Sequence, residues 1–253
     1  MRYFTGIAVL LIFGGCVLLK NTYVPAERLQ ATLEGPSALK GHDGKIGNYG
    51  RVNALWVHPH NPDFLLAASP HGGLWITKNR GRSWKCLTDT LVPNGVSDFC
   101  VLLKPRMRIV AANSLYTNAF PVKRYTRRII FSDDTGKTWQ QSGLRWPADS
   151  SVFVHAMAFQ EEMETLWAAT DSRVFYSKNR GMSWKPIAFG ASGKQKILEI
   201  APRGQQLLIS GMNLAGVYHF QNQKFQPLSR KQLPVSYRAH AVWQHNRPVL
   251  LHT

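Results

Sequence analysis

The side chains best suited to gripping a charged ligand lie close together. Lys123, Arg124, Arg127 and Arg128 surround Tyr125 in one short stretch. Guanidinium groups hold phosphate, sulfate or a sugar acid through paired N–H donors, and a neighbouring ring adds stacking. The same run would also suit a solvated loop that protects the flank of a strand.

Other chemistries are poorly served. Glycoside hydrolysis needs two carboxylates at a set separation, and the chain has only 14 Asp and Glu. Glu161, Glu162 and Glu164 cluster in a predicted turn, whereas Asp63, Asp89, Asp98, Asp149 and Asp171 sit near strand ends, where aspartate caps turns. The nine histidines include His58 and His60, which flank Pro59, while His71, His155, His219, His240, His245 and His252 are scattered. No Cys/His spacing matches a zinc site. The sequence therefore assigns no catalytic residue, no metal ligand and no cofactor.

Charge narrows the partners. Lys and Arg number 31 against 14 acids, a net +17, and such a field attracts nucleic acid, anionic lipid or acidic polysaccharide. Nucleic acid is disfavoured by the N-terminus, which reads as an export signal over residues 1–22. Arg2 precedes an apolar run from Ile7 to Leu19, shorter than the ~20 residues that span a bilayer comfortably. Cys16 follows Phe13, Gly14 and Gly15 in a pattern resembling a lipobox. Lipidation at Cys16, cleavage further on and an uncleaved anchor ending at Lys20 are all compatible with it. Cys86 and Cys100 would then remain, either as a disulfide or as two small buried thiols.

The elements that must position these residues announce themselves by repetition. Residues 77–84, 132–139 and 177–184 share the pattern Ser/Thr-x-Asp/Asn-x-Gly-x-Ser/Thr-Trp. Asn79, Asp134 and Asn179 can accept backbone N–H groups inside a tight turn. Gly81, Gly136 and Gly181 can take the positive φ that a Cβ resists. Trp84, Trp139 and Trp184 can then fold back as apolar plugs against the blade. An apolar strand precedes each turn, so each unit is a hairpin, and two further strands lie upstream. Four strands at this spacing make one propeller blade. A fourth unit is degraded, with Phe225 where Trp184 stood and the glycine lost, and a fifth stops after two strands. The expected fold is all-β: a β-propeller over residues 23–253 with about four full blades and a partial fifth. Residues 28–47 could complete that last blade; otherwise the chain is part of a longer propeller.

These turns resemble Asp-boxes, the bacterial neuraminidase repeats. The succession of Gly50, Arg51, Val52, Asn53 and Leu55, then His58 and Pro62, then His71, Gly72 and Trp75, then Trp84, Asp89, Gly95 and Asp98 is similar to the opening blade of secreted bacterial sortilin-type proteins, and the resemblance covers roughly residues 35–190. In sialidases and xyloglucanase-type hydrolases with these repeats the boxes lie away from the active-site face, so the resemblance implies structural roles for Asp134, Gly136 and Trp139. The sialidase Arg-Ile-Pro motif is missing. The expectation is an exported, non-enzymatic propeller at the cell envelope, with a lipid anchor at Cys16 as one option, that binds a protein, a peptide, an acidic polymer or an anionic lipid surface. A glycan-active hydrolase or a truncated, inactive relative is the alternative.

Overall fold

The computed structural model describes residues 52–116, 124–146, 151–228, 239–244 and 247–252. The proposed export signal, Cys16 and residues 28–47 lie outside the described residues, as do Lys123 and the segment 117–123.

Four sheets of four antiparallel strands follow one another along the chain, each in simple sequential order. Blade 1 comprises β1 (Ala54–His58), β2 (Asn61–Ser69), β3 (Gly73–Thr77) and β4 (Lys85–Cys86). Blade 2 comprises β5 (Val96–Leu102), β6 (Arg108–Tyr116), β7 (Arg124–Ser132) and β8 (Gln140–Gln141). Blade 3 holds β9 (Val154–Gln160), β10 (Thr165–Thr170), β11 (Arg173–Ser177) and β12 (Lys185–Gly190). Blade 4 holds β13 (Lys196–Arg203), β14 (Gln206–Met212), β15 (Leu214–His219) and β16 (Lys224–Pro227), and a last pair, β17 (Ala239–Gln244) and β18 (Arg247–His252), begins a fifth.

The continuous apolar runs of the central strands follow from burial on both faces. Successive residues of a strand point to opposite faces, and each face meets a different blade. In β6, Ile109 and Ala111 pack toward blade 1, whereas Val110 and Ala112 pack toward blade 3. In β10, Leu166 and Ala168 face blade 2, whereas Trp167 and Ala169 face blade 4. The hydrophobic core is thus a series of seams between blades.

Polar groups also cross a seam. Ser114 Oγ lies 2.9 Å from both Ser97 Oγ and Thr126 Oγ1, Ser97 Oγ donates to Val154 O at 2.8 Å, and Val154 N donates to Thr126 Oγ1 at 2.8 Å. The side chain of Asp98 accepts from Met157 N of the next blade at 2.6 Å. Cys86 and Cys100 are buried thiols not joined in a disulfide. Burial pushes the Cys86 thiol above its usual range.

Antiparallel order fixes two ends for every blade. The three repeat turns close β3–β4, β7–β8 and β11–β12 at one end, together with the turns after β1, β5, β9 and β13. The turns after β2, β10 and β14, and the starts of β5, β7, β9 and β13, lie at the other end.

Candidate functional site

The repeat turns form as their residue types require. In blade 2, Asp134 Oδ1 accepts from the Ser132 hydroxyl at 2.8 Å and from Thr138 N at 2.9 Å, while Oδ2 accepts from the Thr138 hydroxyl at 2.6 Å. Gly136 N donates to Ser132 Oγ at 2.8 Å. The Thr138 donors hold the Asp134 carboxyl far below the usual carboxylate range. Asn79 and Asn179 repeat the pattern, accepting from Ser83 N at 2.9 Å and Ser183 N at 2.8 Å. Gly81, Gly136 and Gly181 take φ of 86°, 82° and 89°, and the residue before each, Arg80, Thr135 or Arg180, also takes positive φ.

The tryptophans differ from the expectation of plugs against their own blades. Trp139 packs on blade 1 and donates to Leu87 O at 2.9 Å. Trp184 Nε1 donates to Ser142 Oγ, just past β8, at 2.8 Å. Phe225, their counterpart in blade 4, stacks on Phe189 of β12 at 4.1 Å. Each ring therefore closes the seam behind it. Trp84, in the first described blade, remains 38% exposed.

This architecture is shared with known proteins. No protein-family model matches the chain. Sortilin of Rattus norvegicus is 23% identical over 157 residues, 49% of this chain and 18% of sortilin; the chain thus spans less than a fifth of that relative. An ancestral GH74 enzyme superposes with a TM-score of 0.52 at 19% identity, over 70% of this chain and 25% of the enzyme. The extracellular domain of a one-component system from B. thetaiotaomicron gives 0.55 at 14% identity, over 76% of this chain and 25% of that one. The chain is an Asp-box β-propeller, similar to that of sortilin.

At the end of the propeller remote from the boxes, side chains from three blades form a row. Arg124 lies over the ring of Phe153, 5.5 Å from its centroid. Phe153 meets His155 edge-on at 4.9 Å, and His155 Nε2 sits 2.6 Å from Asp171 Oδ1. The His155 imidazole holds the Asp171 carboxyl below its usual range; burial opposes this, and Lys196 and Arg124 add to it. Arg128 Nε donates to Asn113 Oδ1 at 3.3 Å.

The placement of the basic cluster is corrected in one respect. Arg124, Tyr125, Arg127 and Arg128 are not loop residues but the first half of β7. The reason is a long hairpin: Tyr116 pairs with Arg124, Leu115 with Tyr125 and Asn113 with Arg128. Arg124 and Arg127 are exposed, Tyr125 and Arg128 half-buried.

The sequence reading missed Phe153, His155, Asp171 and Lys196 as members of one site. Hairpin register held the signal for two of them. Val154 pairs with Thr170, which brings His155 beside the turn containing Asp171. Among the described residues no group of three His, Cys, Asp or Glu could hold a metal ion.

Proposed function

We propose that this propeller is an exported, non-enzymatic binding module. Its partner would be a protein or peptide segment, or an anionic envelope component, bound on the face remote from the Asp-boxes. The observation that carries the reading is the row of cationic and aromatic side chains there, Arg124, Arg127, Arg128, Phe153 and Lys196, held on the strands and turns of three blades. Rigid elements position such groups at low entropic cost, and propeller loops gather binding sites at one end.

Five of the ten carboxylates among the described residues are engaged in ways that favour binding over hydrolysis. Asp63 pairs with Arg80 at 2.6 Å, Asp133 with Arg108 at 2.6 Å and Asp171 with His155 at 2.6 Å. Asp134 is consumed by its turn and Asp98 by backbone N–H groups. A hydrolase needs a carboxyl free to donate a proton and another free to attack or to activate water.

The test uses a sulfated polymer, anionic vesicles and an acidic peptide as probes. Gln replaces Lys123, Arg124, Arg127 and Arg128 in one variant, and Lys78, Arg82, Lys137 and Lys178 on the box face in another. Greater loss from the first set, at an unchanged unfolding midpoint, supports a dedicated face. Equal loss from both would mean diffuse attraction by the net charge. Turnover of sialosides or β-glucans by the unmodified protein would overturn the non-enzymatic reading.

A further inference from the structure

A second concentration of charge lies at the opposite end of the molecule, where blades 2 and 3 meet. Asp133 is its only carboxylate in ion-pair contact among the described residues. Arg108 grips it with a fork, Nε to Oδ1 at 2.7 Å and Nη2 to Oδ2 at 2.6 Å. Arg106 Nη2 approaches Oδ2 at 3.1 Å. Arg108 is anchored: its side chain is 11% exposed, its guanidinium lies 4.1 Å from the Phe131 ring centroid, and Nη1 donates to Arg180 O at 2.8 Å.

Arg180 brings a third guanidinium from the box of blade 3. It reaches back across the seam and donates to backbone carbonyls of the turn after β5, to Lys104 O and, at 2.8 Å, to Arg106 O. Carbonyl dipoles satisfy its N–H groups without neutralising its charge. Three guanidiniums therefore gather around one ion-paired carboxylate, which only Arg106 and Arg108 touch. Arg80 occupies the matching position in blade 1 and has a carboxylate of its own, Asp63 at 2.6 Å. Desolvation, and then the charge of Arg108, make Arg180 hold its proton less firmly than an ordinary arginine. Asp133 and, more weakly, Glu164 act the other way.

We propose that this seam is a binding site for a tetrahedral oxyanion, a phosphate or sulfate group, chelated by Arg106 and Arg180. Arg106, 71% exposed, supplies open donors. Arg180 supplies the edge not used by the two carbonyls. Arg108 holds Asp133 and with it the geometry of both. Paired guanidiniums match the donor spacing of a tetrahedral anion, and both come from short turns closed by sheet strands. The inference is independent of the box-remote face.

The experiment is calorimetric titration of the full chain with inorganic phosphate and inorganic sulfate, at ionic strength held constant with chloride. A sulfated disaccharide and phosphoserine form further arms. Saturable binding of phosphate or sulfate above chloride is expected, with a matching rise in the thermal midpoint. Arg106→Gln should weaken it by about tenfold or more, the scale of a lost charge-assisted bond, and leave the midpoint in chloride unchanged. Arg180→Gln should weaken binding and also lower the midpoint, because the seam loses a clamp. Gln at Arg124, Arg127 and Arg128 should leave the titration as it is. An ester that binds tighter than its free anion identifies the ester as the ligand; equal affinity identifies the free ion. A response to phosphate and sulfate no greater than to chloride would overturn the proposal. So would an Arg106→Gln protein that binds as before, or equal weakening by Gln at Lys78 and Arg82.

Discussion

The indole N–H of Trp139 donates to the backbone carbonyl of Leu87, 2.9 Å away on the preceding blade. The bond places the ring of one repeat just past the outer strand of another, so the box residue serves the joint between blades as well as its own hairpin. Trp184 and Phe225 stand at the next two joints.

Replacing Trp139 by Ala should cost about 3 kcal/mol, the low end of the range for a large aromatic because the ring is only partly buried. Trp84→Ala should cost about 1 kcal/mol or less, as expected for a side chain so exposed. Urea midpoints at unchanged m-value measure both. Equal losses would mean that the joint contributes nothing beyond the turn.

The box glycines should also differ. A Cβ on Gly136 would meet Leu87 Cδ1 at 2.7 Å, whereas on Gly181 the nearest atoms lie at 3.5 Å. Both carry the strain of positive φ, about 1 kcal/mol for a non-glycine residue. Gly181→Ala should show about that loss, and Gly136→Ala clearly more, because Leu87 must shift. The same denaturation series decides it, and a larger loss at Gly181 would contradict the contact argument.

Acid should loosen the seam between blades 2 and 3. The hydrogen-bonded Arg108 holds the Asp133 carboxyl below its usual range. Folding depresses this pKa, so its stabilisation is complete above about pH 4 and drains away as pH falls through the lower, folded-state value. Asp133→Asn should be less stable than the unmodified protein at pH 6 and lose less between pH 4 and pH 2.5. Parallel pH profiles would remove Asp133 from the account.

Export makes a separate prediction. If Cys16 accepts the acyl chains, Cys16→Ser should abolish labelling by palmitate analogues and move the protein from the membrane to the soluble fraction, since anchoring depends on those chains. Labelling that survives the change would exclude Cys16.

The repeat made the fold legible, because each box carries its own turn chemistry in consecutive residues: Ser132, Asp134, Gly136 and Trp139 contact one another or the preceding blade. Blade count followed from the same spacing. Sites assembled across blades were harder to read. His155 and Asp171 meet only through hairpin register, and Arg180 finds Lys104 and Arg106 on a different sheet. Composition described Arg124, Tyr125, Arg127 and Arg128 as a loop, since charge runs favour solvent. Pairing with β6 overrode that tendency by satisfying the backbone while two of the side chains stayed exposed.

The chain of hydroxyls from Ser97 through Ser114 to Thr126 has a consequence for shape. Apolar faces tolerate sliding, but displacing blade 3 against blade 2 would strand Val154 N and Val154 O and take from the Ser97 hydroxyl its acceptor, each at a desolvation cost of about 1–3 kcal/mol. The joint therefore behaves as a wedge of fixed angle. In a circular arrangement of sheets, the angle at each wedge governs how many sheets complete the circle. Ser97, Ser114 and Thr126 thereby help set the curvature with which this molecule bends around its axis.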